Sequence, residues 1–220
     1  MLYDFSRISG LNPDKLTRNA ICSVHSIAAC ALSFSYIKLN LPHNIAYNFS
    51  TTYFIWDSII TIINKENKVF ILHHIIAIYT LSFEMEFIYF LLFISELSNF
   101  WNYIVYYYLH IDSSPRADVA MAIQLLWYWY FRVGLFSKFA KSDDVRDLLW
   151  SRSCILYYNV LTIYLLGVYW AFVLAYRFIK KNPKISPAFG FFVLFINIGP
   201  IQQYTPFKII DSIRLTSSNI

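Results

Sequence analysis

Long apolar stretches, separated by short polar ones, run through most of the chain. Six of them approach the length of about 20 residues that a helix needs to cross a bilayer. They lie at residues 19–39, 45–63, 68–83, 86–110, 117–139 and 155–178. The pattern predicts an all-α, polytopic membrane protein built as a bundle of about six transmembrane helices.

Two of these stretches depart from an ordinary transmembrane helix. Residues 45–63 include Asp57, and residues 68–83 are short, with Glu84 and Glu86 at the turn that follows. A polar or short helix is tolerated in a membrane where neighbouring helices enclose it. We therefore expect both stretches to be enclosed by the bundle, whose six helices surround a central polar cavity.

The ends of the chain are predicted to lie outside the bundle. Residues 1–16 are expected to form a polar cytosolic N-terminus without a cleavable signal peptide, and residues 17–181 the transmembrane domain. Residues 182–220 form a tail that contains an apolar run at 188–200, about 13 residues long with two glycines and a closing proline. This run is short for a span, so we predict an interfacial or re-entrant segment, with a seventh span as the alternative.

Composition and charge agree with a membrane protein and suggest its orientation. The chain is 58% hydrophobic and only 14% charged. The loops on the N-terminal side of the predicted bundle hold twelve Lys and Arg, Arg18 among them, and those on the other side hold five. Because basic loops favour the cytosol, both termini are predicted to be cytosolic and the loop at 138–152 lumenal.

The same charge distribution bears on partners. Basic loops facing anionic lipid headgroups explain the net charge of +5, and the sequence contains no dense basic patch, so no nucleic-acid partner is expected. Three cysteines are too few for a disulfide framework. The sequence makes no prediction about oligomeric state.

Ionisable side chains lie well inside the predicted helices. Asp57, Glu96 and Arg132 would each cost roughly 2.5–3.5 kcal/mol if exposed to lipid. The sum of these three costs would be about as large as the net free energy that stabilises a whole domain. These residues must therefore face one another or water, and one shared cavity is the simplest arrangement. The other polar or amphipathic side chains inside the spans include His25, His73, His74, Asn159 and Trp170.

The spacing of these residues fits one cavity. Tyr53 lies four residues before Asp57, and Glu96, Asn99 and Tyr103 follow one another at steps of three and four, so each set shares a helix face. His73 and His74 are adjacent and therefore point about 100° apart. One imidazole can face the cavity while the other reaches a neighbouring helix.

Simpler interpretations of these residues remain open. Glu96 and Arg132 could form a purely structural ion pair, and His25 could be a hydrogen-bonded packing residue. No HExxH pattern is present, so neither a metal nor another cofactor is predicted. The serine nucleophile motif GxSxG and a glycine-rich phosphate loop are also absent from the sequence.

Six short stretches, in this order, resemble the TLC-domain family, which includes ceramide synthases and translocating-chain-associating membrane proteins. The stretches are "RNAICSVHS", "STTYFIWDSII", "VFILHHIIAIYTL", "FISELSNFWNYIVYYYL", "YWYFRV" and "VYWAFVLAYRFIKK", which are spread along the chain from about residue 17 to residue 181. The resemblance is nearest to the short TLC-domain-containing proteins. "ELSNFWNYIVYYYLHID" lacks the acidic signature of ceramide synthases, and Gly167 stands where small members often have Asn.

This resemblance implies a protein that handles lipid in the endoplasmic reticulum or another endomembrane. The expected partner is a membrane lipid or fatty-acyl substrate, which is bound, sensed or modified as part of membrane lipid homeostasis. The candidate catalytic residues are His73, His74, Asp57 and Glu96. The candidate substrate-binding residues are Arg132, His25, Asn99, Tyr53 and Trp170.

Whether the protein is an enzyme is left open by the sequence. One alternative is a lipid acyltransferase of ceramide-synthase type, in which the His73/His74 pair acts as general base or accepts the acyl group from acyl-CoA. The other is a helper in membrane trafficking or insertion that acts through its loops.

Overall fold

The computed structural model describes residues 13–65, 68–111, 115–140 and 142–181. Within these ranges the chain is helical, without strands, which confirms the all-α class. The helices are α1 (Pro13–Leu39), α2 (His43–Ile63), α3 (Val69–Leu81), α4 (Glu86–Ile111), α5 (Pro115–Tyr128), α6 (Phe136–Ala140), α7 (Asp143–Arg152) and α8 (Cys154–Lys181). A π-helical segment, Trp129–Leu135, joins α5 directly to α6. The N-terminal residues 1–12 and the apolar run at 188–200 lie outside the described residues.

Local sequence features explain where α1 and α2 end and where α2 begins. Asn40, directly after α1, has φ 53°, a left-handed conformation that asparagine adopts more readily than most residues. Pro42 then precedes α2 at a position where its missing N–H breaks no helical hydrogen bond. Lys65 has φ 53° in the turn after α2 and reverses the chain toward α3.

Four helical stretches of the described chain are long and apolar enough to cross a membrane. They are Thr17–Leu39, Glu86–Leu109, Arg116–Phe139 and Cys154–Lys180. This finding is compatible with a membrane protein. By length and composition it gives four candidate spans where the sequence pattern predicted about six. Helices α2 and α3 account for the difference, because α2 is polar and α3 has only 13 residues.

The helices pack in a closed order. Helix α1 contacts α2 and α4, α2 contacts α3, and α3 contacts α8. Helix α8 contacts α5 and the π-helical segment, and α5 contacts α4. The sequence of contacts α1–α2–α3–α8–α5–α4 thus returns to α1, and residues from all six of these helices line the site described below.

Aromatic side chains fill one end of this ring. Phe87 packs edge-on against Phe139 at 5.8 Å between ring centroids, and Phe90 packs against the same ring at 5.2 Å. Phe136 is almost completely buried beside them. Leu149 joins this core from α7, a helix within the loop at 138–152, and its burial packs α7 against this end of the ring. The outward faces of α1 and α8 expose mainly apolar side chains, as a lipid environment requires.

Candidate functional site

A cleft of about 670 Å³ lies inside the helix ring. This volume is in the range of small-molecule binding sites. Its walls come from α1, α2, α3, α4, α5, the π-helical segment and α8. Eight of the nine predicted site residues line it, namely Tyr53, Asp57, His73, His74, Glu96, Asn99, Arg132 and Trp170.

Asp57 forms an ion pair with Arg18, which was predicted to lie in a loop outside the helices. Arg18 Nε and Nη2 both lie 2.8 Å from Asp57 Oδ1, and Nη2 also donates to the Thr61 hydroxyl at 2.9 Å. Arg18 was predicted as a loop residue, but it lies in the first turns of α1, which pack beside the last turns of α2. The contact could have been predicted only by assuming that α1 and α2 pack antiparallel, which brings the start of α1 beside the end of α2.

His74 reaches from α3 to α2. The Ser58 hydroxyl lies 2.9 Å from its Nδ1, and Asp57 Oδ2 lies 3.5 Å from its Nε2. Its ring stacks on Phe54 at 5.2 Å. The angular offset of the two histidines predicted that one would contact a neighbouring helix, and His74 does so. Its chemical role stays a prediction.

His73 points into the cleft. Its ring meets Trp170 edge-on at 5.5 Å, and Trp170 in turn stacks on Phe70 at 5.3 Å. The Nδ1 atom of His73 is buried and has no hydrogen-bond partner among the described residues. This wall of the cleft therefore offers an unused polar atom framed by aromatic surface.

Arg132 lies at the centre of the π-helical segment and is only 4% exposed. Its Nε donates to the Ser98 hydroxyl at 2.9 Å and its Nη2 donates to the Ser95 carbonyl at 3.2 Å. Its Nη1 is buried and lacks a partner in the described part of the chain. Within that part no carboxylate lies within 4.0 Å of Arg132, so the proposed structural ion pair with Glu96 is wrong.

Gly167, on α8, leaves room for the Arg132 side chain because it has no side chain of its own. A Cβ atom added at Gly167 would lie 3.4 Å from Arg132 Cδ and 3.6 Å from its Cβ. The absence of a side chain at Gly167 therefore lets the aliphatic part of Arg132 run directly along α8. The sequence singled out this glycine only as a departure from the resembled family.

Glu96 is held by α1 instead of Arg132. Its Oε2 accepts a hydrogen bond from the Ser26 hydroxyl at 2.5 Å, and that hydroxyl lies 3.2 Å from the Tyr103 hydroxyl. His25 Nδ1 lies 3.9 Å from the same Glu96 oxygen. Small serine side chains are ordinary in packed helices, so nothing in the sequence marked Ser26 as the partner.

His25 is not among the residues that line the cleft. It is 3% exposed and stacks face to face on Tyr53, with ring centroids 3.6 Å apart. It packs among aromatic side chains, but its Nε2 is buried without a hydrogen-bond partner among the described residues, so the hydrogen bond that the packing interpretation assumed is not found there.

A smaller pocket of about 50 Å³ continues from the cleft. The two share four wall residues, Phe54, His73, Glu96 and Arg132. Beyond these, the small pocket is lined mostly by apolar side chains, such as Leu92, Phe136, Val160 and Ile163. His73 and Arg132 therefore lie at a boundary between polar and apolar space.

The cleft occupies one end of the helix ring. It uses the first half of α1, residues 121–132 of α5 and the π-helical segment, and the last half of α4 and α8, from Glu96 to Leu109 and from Tyr169 to Phe178. The aromatic core and α7 occupy the opposite end. The end that holds the cleft is the side where the sequence concentrates Lys and Arg.

The described residues contain no group of three or more His, Cys, Asp or Glu side chains placed to hold a metal ion. No family model, no curated protein and no solved structure matches the chain. The fold and the site define a helical protein that has helices compatible with a membrane and a polar cleft at one end of the helix ring.

Proposed function

We propose that this chain is a multi-pass membrane protein that binds a fatty-acyl lipid in the cleft. The observation that carries the proposal is the pair of unpartnered buried atoms, Arg132 Nη1 and His73 Nδ1, in a wall shared with an apolar pocket. A buried polar group without a partner costs about 1–3 kcal/mol, more when it is charged. A lipid carbonyl or carboxylate oxygen between them would satisfy both atoms, with the acyl chain on apolar surface.

The packing of α2 supports six membrane crossings. Arg18 meets Asp57 near the start of α1, and Tyr36 meets His43 near its end, with 6.0 Å between ring centroids. Helix α2 therefore runs antiparallel to α1 over most of its length. Since α1 is long and apolar enough to span, α2 would cross the same depth of membrane.

Helix α3 continues this arrangement. It contacts α2 through Ser58 and His74 at one end, and through the His43 Nε2 atom, 3.1 Å from the Leu81 carbonyl, at the other. We infer that α2 and α3 are enclosed spans and that the cleft is the central polar cavity of a six-helix bundle. The order of motifs supports a TLC-like domain, as do the polar residues gathered in the cleft.

We propose that both termini lie in the cytosol, as the distribution of Lys and Arg indicates. The endoplasmic reticulum or another endomembrane is the location that the resemblance to TLC-domain proteins implies. The cleft would then open toward the cytosolic leaflet, from which a lipid could enter. The basic loops at that end would attract anionic headgroups. This arrangement supports the proposed role in binding or sensing lipid for membrane lipid homeostasis.

A His-dependent acyltransferase is the second candidate. The observation that favours it is the free Nδ1 of His73 at the polar boundary, where a general base or an acyl acceptor would be needed. Ser58, His74 and Asp57 have the composition of a hydrolase triad, but Ser58 is not part of the cleft wall. Its hydrogen bond is better explained as one that orients the His74 ring.

Native mass spectrometry of the purified protein would test the proposal. The wild type should retain lipid, and Arg132→Gln should lower lipid occupancy about tenfold because a charge-assisted hydrogen bond is lost. The matched control is Arg146→Gln, because Arg146 lies on α7 and pairs with Asp143 at 2.7 Å, away from the cleft. Equal lipid retention in all three proteins, or none in the wild type, would contradict lipid binding in the cleft.

The same measurement separates the two candidates. A bound but unmodified lipid favours the binding protein. A covalent acyl adduct in the wild type that is absent from His73→Ala favours the acyltransferase.

A further inference from the structure

Three carboxamide side chains form a row across the cleft. Gln124 Nε2 on α5 lies 2.5 Å from Asn102 Oδ1 on α4, and Asn102 Nδ2 lies 3.4 Å from Asn99 Oδ1. All three residues line the cleft, and Gln124 is only 7% exposed. We call Asn99, Asn102 and Gln124 the carboxamide row.

The row has an unused hydrogen-bonding group at each end. With the amides oriented as described, Asn99 retains its NH₂ donor and Gln124 retains its carbonyl acceptor. If all three amides were flipped, Asn99 would keep an acceptor and Gln124 a donor. Either orientation thus leaves one donor group and one acceptor without a partner in the row, on two residues that line the cleft. A ligand that satisfies both must itself carry a donor and an acceptor.

The row lies between the open end of the cleft and its polar boundary. Asn99 and Asn102 follow Glu96 by three and six residues, or about 5 and 9 Å along α4. Gln124 precedes Arg132 by eight residues, about 12 Å along a helix. A lipid whose carbonyl reaches Arg132 and His73 would therefore place its headgroup, on the side away from the acyl chain, at the carboxamide row.

We propose that the carboxamide row makes the cleft selective for amphiphiles with a hydroxyl-bearing or amide-bearing headgroup over simple esters of the same acyl chain. This inference rests on the proposed lipid binding. The hydrogen bonds that join α4 to α5 use only the inner groups of the row, which leaves its end groups available to a ligand in the cleft. A ligand that displaces water from the ends of the row without replacing its hydrogen bonds loses affinity.

Three probes of equal acyl chain test this selectivity: monooleoylglycerol, oleic acid and methyl oleate. Their affinities are measured by competition against a fluorescent lipid on the full chain in detergent. Because the chain is shared, its apolar contribution cancels in the ratio of affinities. The wild type should bind monooleoylglycerol about tenfold more tightly than methyl oleate, since two additional hydrogen bonds form. Oleic acid, whose carboxylate gains a charge-assisted hydrogen bond to Arg132, is the reference for that contact.

Two variants identify the row as the cause. Asn99→Leu and Gln124→Leu should each reduce the preference for monooleoylglycerol to below about threefold while binding of methyl oleate persists. Asn159→Leu is the matched control, because Asn159 lies on α8 outside the cleft wall and should keep the wild-type preference. Bound methyl oleate also reports that each variant is folded.

Several outcomes would overturn the inference. The wild type could bind the three probes equally, or both leucine variants could retain the tenfold preference. If the wild type binds none of the probes, the proposed lipid binding itself fails. If it binds all three without preference, lipid binding stands and only the role of the row is lost.

Discussion

At the scale of single residues, the energetic cost of burial predicted which side chains matter but not which partners they have. Asp57, Glu96 and Arg132 were expected in one cavity because none of them could face lipid alone. All three line the cleft, but their partners are Arg18, Ser26 and the Ser95–Ser98 turn. No sequence pattern distinguishes these serines, or an arginine near the start of a helix, as partners of buried charges. Only the packing of the helices could therefore identify these contacts.

The Arg18–Asp57 pair leads to a test of stability. Arg18→Met should destabilise the protein by about 3–5 kcal/mol, because it leaves the buried Asp57 carboxylate without its cation. The double variant Arg18→Met with Asp57→Leu should recover most of this loss, because both charges are then removed together. Unfolding of the purified protein in detergent, monitored by circular dichroism, measures the difference.

Arg18→Lys provides the control for charge. It keeps a cation beside Asp57 but gives up the guanidinium that contacts Asp57 and Thr61 together, so it should lie between the wild type and Arg18→Met. A double variant no more stable than Arg18→Met alone would mean that the pair does not act as a unit.

At the scale of elements, periodicity located the helices but not their irregularities. The stretch predicted at 117–139 lies within the continuous run from α5 to α6, yet its π-helical segment has no signature in the pattern of apolar residues. Such a segment changes the direction of the side chains within it, and these segments are frequent at functional sites. Likewise the loop predicted at 138–152 is mostly α7. Its acidic first turn and the Arg146–Asp143 pair stabilise a helix too polar for hydropathy to reveal.

The packing of α8 against the π-helical segment can be tested at Gly167. Gly167→Ala should be tolerated, because its Cβ would make an ordinary contact at 3.4 Å with Arg132 Cδ and alanine favours a helix by about 1 kcal/mol over glycine. Gly167→Leu should displace the Arg132 side chain and lower lipid occupancy in native mass spectrometry about as much as Arg132→Gln. Full occupancy in Gly167→Leu would show that the position of Arg132 does not depend on α8.

At the scale of the whole molecule, the ring of helices separates a polar end from an aromatic end. The sequence predicted that the polar residues would share one space, because exposing a polar side chain to lipid is costly on every helix, whichever helices surround it. It could not predict that this space lies at one end, since that depends on the depth at which each helix packs. The number of crossings depends on α2 and α3 for the same reason: their burial among neighbours, rather than their hydropathy, would keep them in the membrane.

Cysteine labelling can distinguish six crossings from four. In a background with Cys22, Cys30 and Cys154 replaced by alanine, Lys68→Cys should react with a membrane-impermeant maleimide from the cytosolic side of sealed microsomes. Its side chain is exposed in the turn between α2 and α3, which six crossings place in the cytosol.

Two reference positions calibrate the labelling. Arg177→Cys, at the end of α8 beside the cleft, should also react from the cytosolic side, and Arg152→Cys, at the end of α7, only after the membrane is permeabilised. Both expectations follow from the excess of Lys and Arg at the end that holds the cleft. If Lys68→Cys behaves like Arg152→Cys while Arg177→Cys reacts from the cytosol, α2 and α3 do not cross. The end of α2 and the start of α1 would then lie on opposite sides of the membrane, so the Arg18–Asp57 contact could not form there and the cavity would not be that of a six-helix bundle.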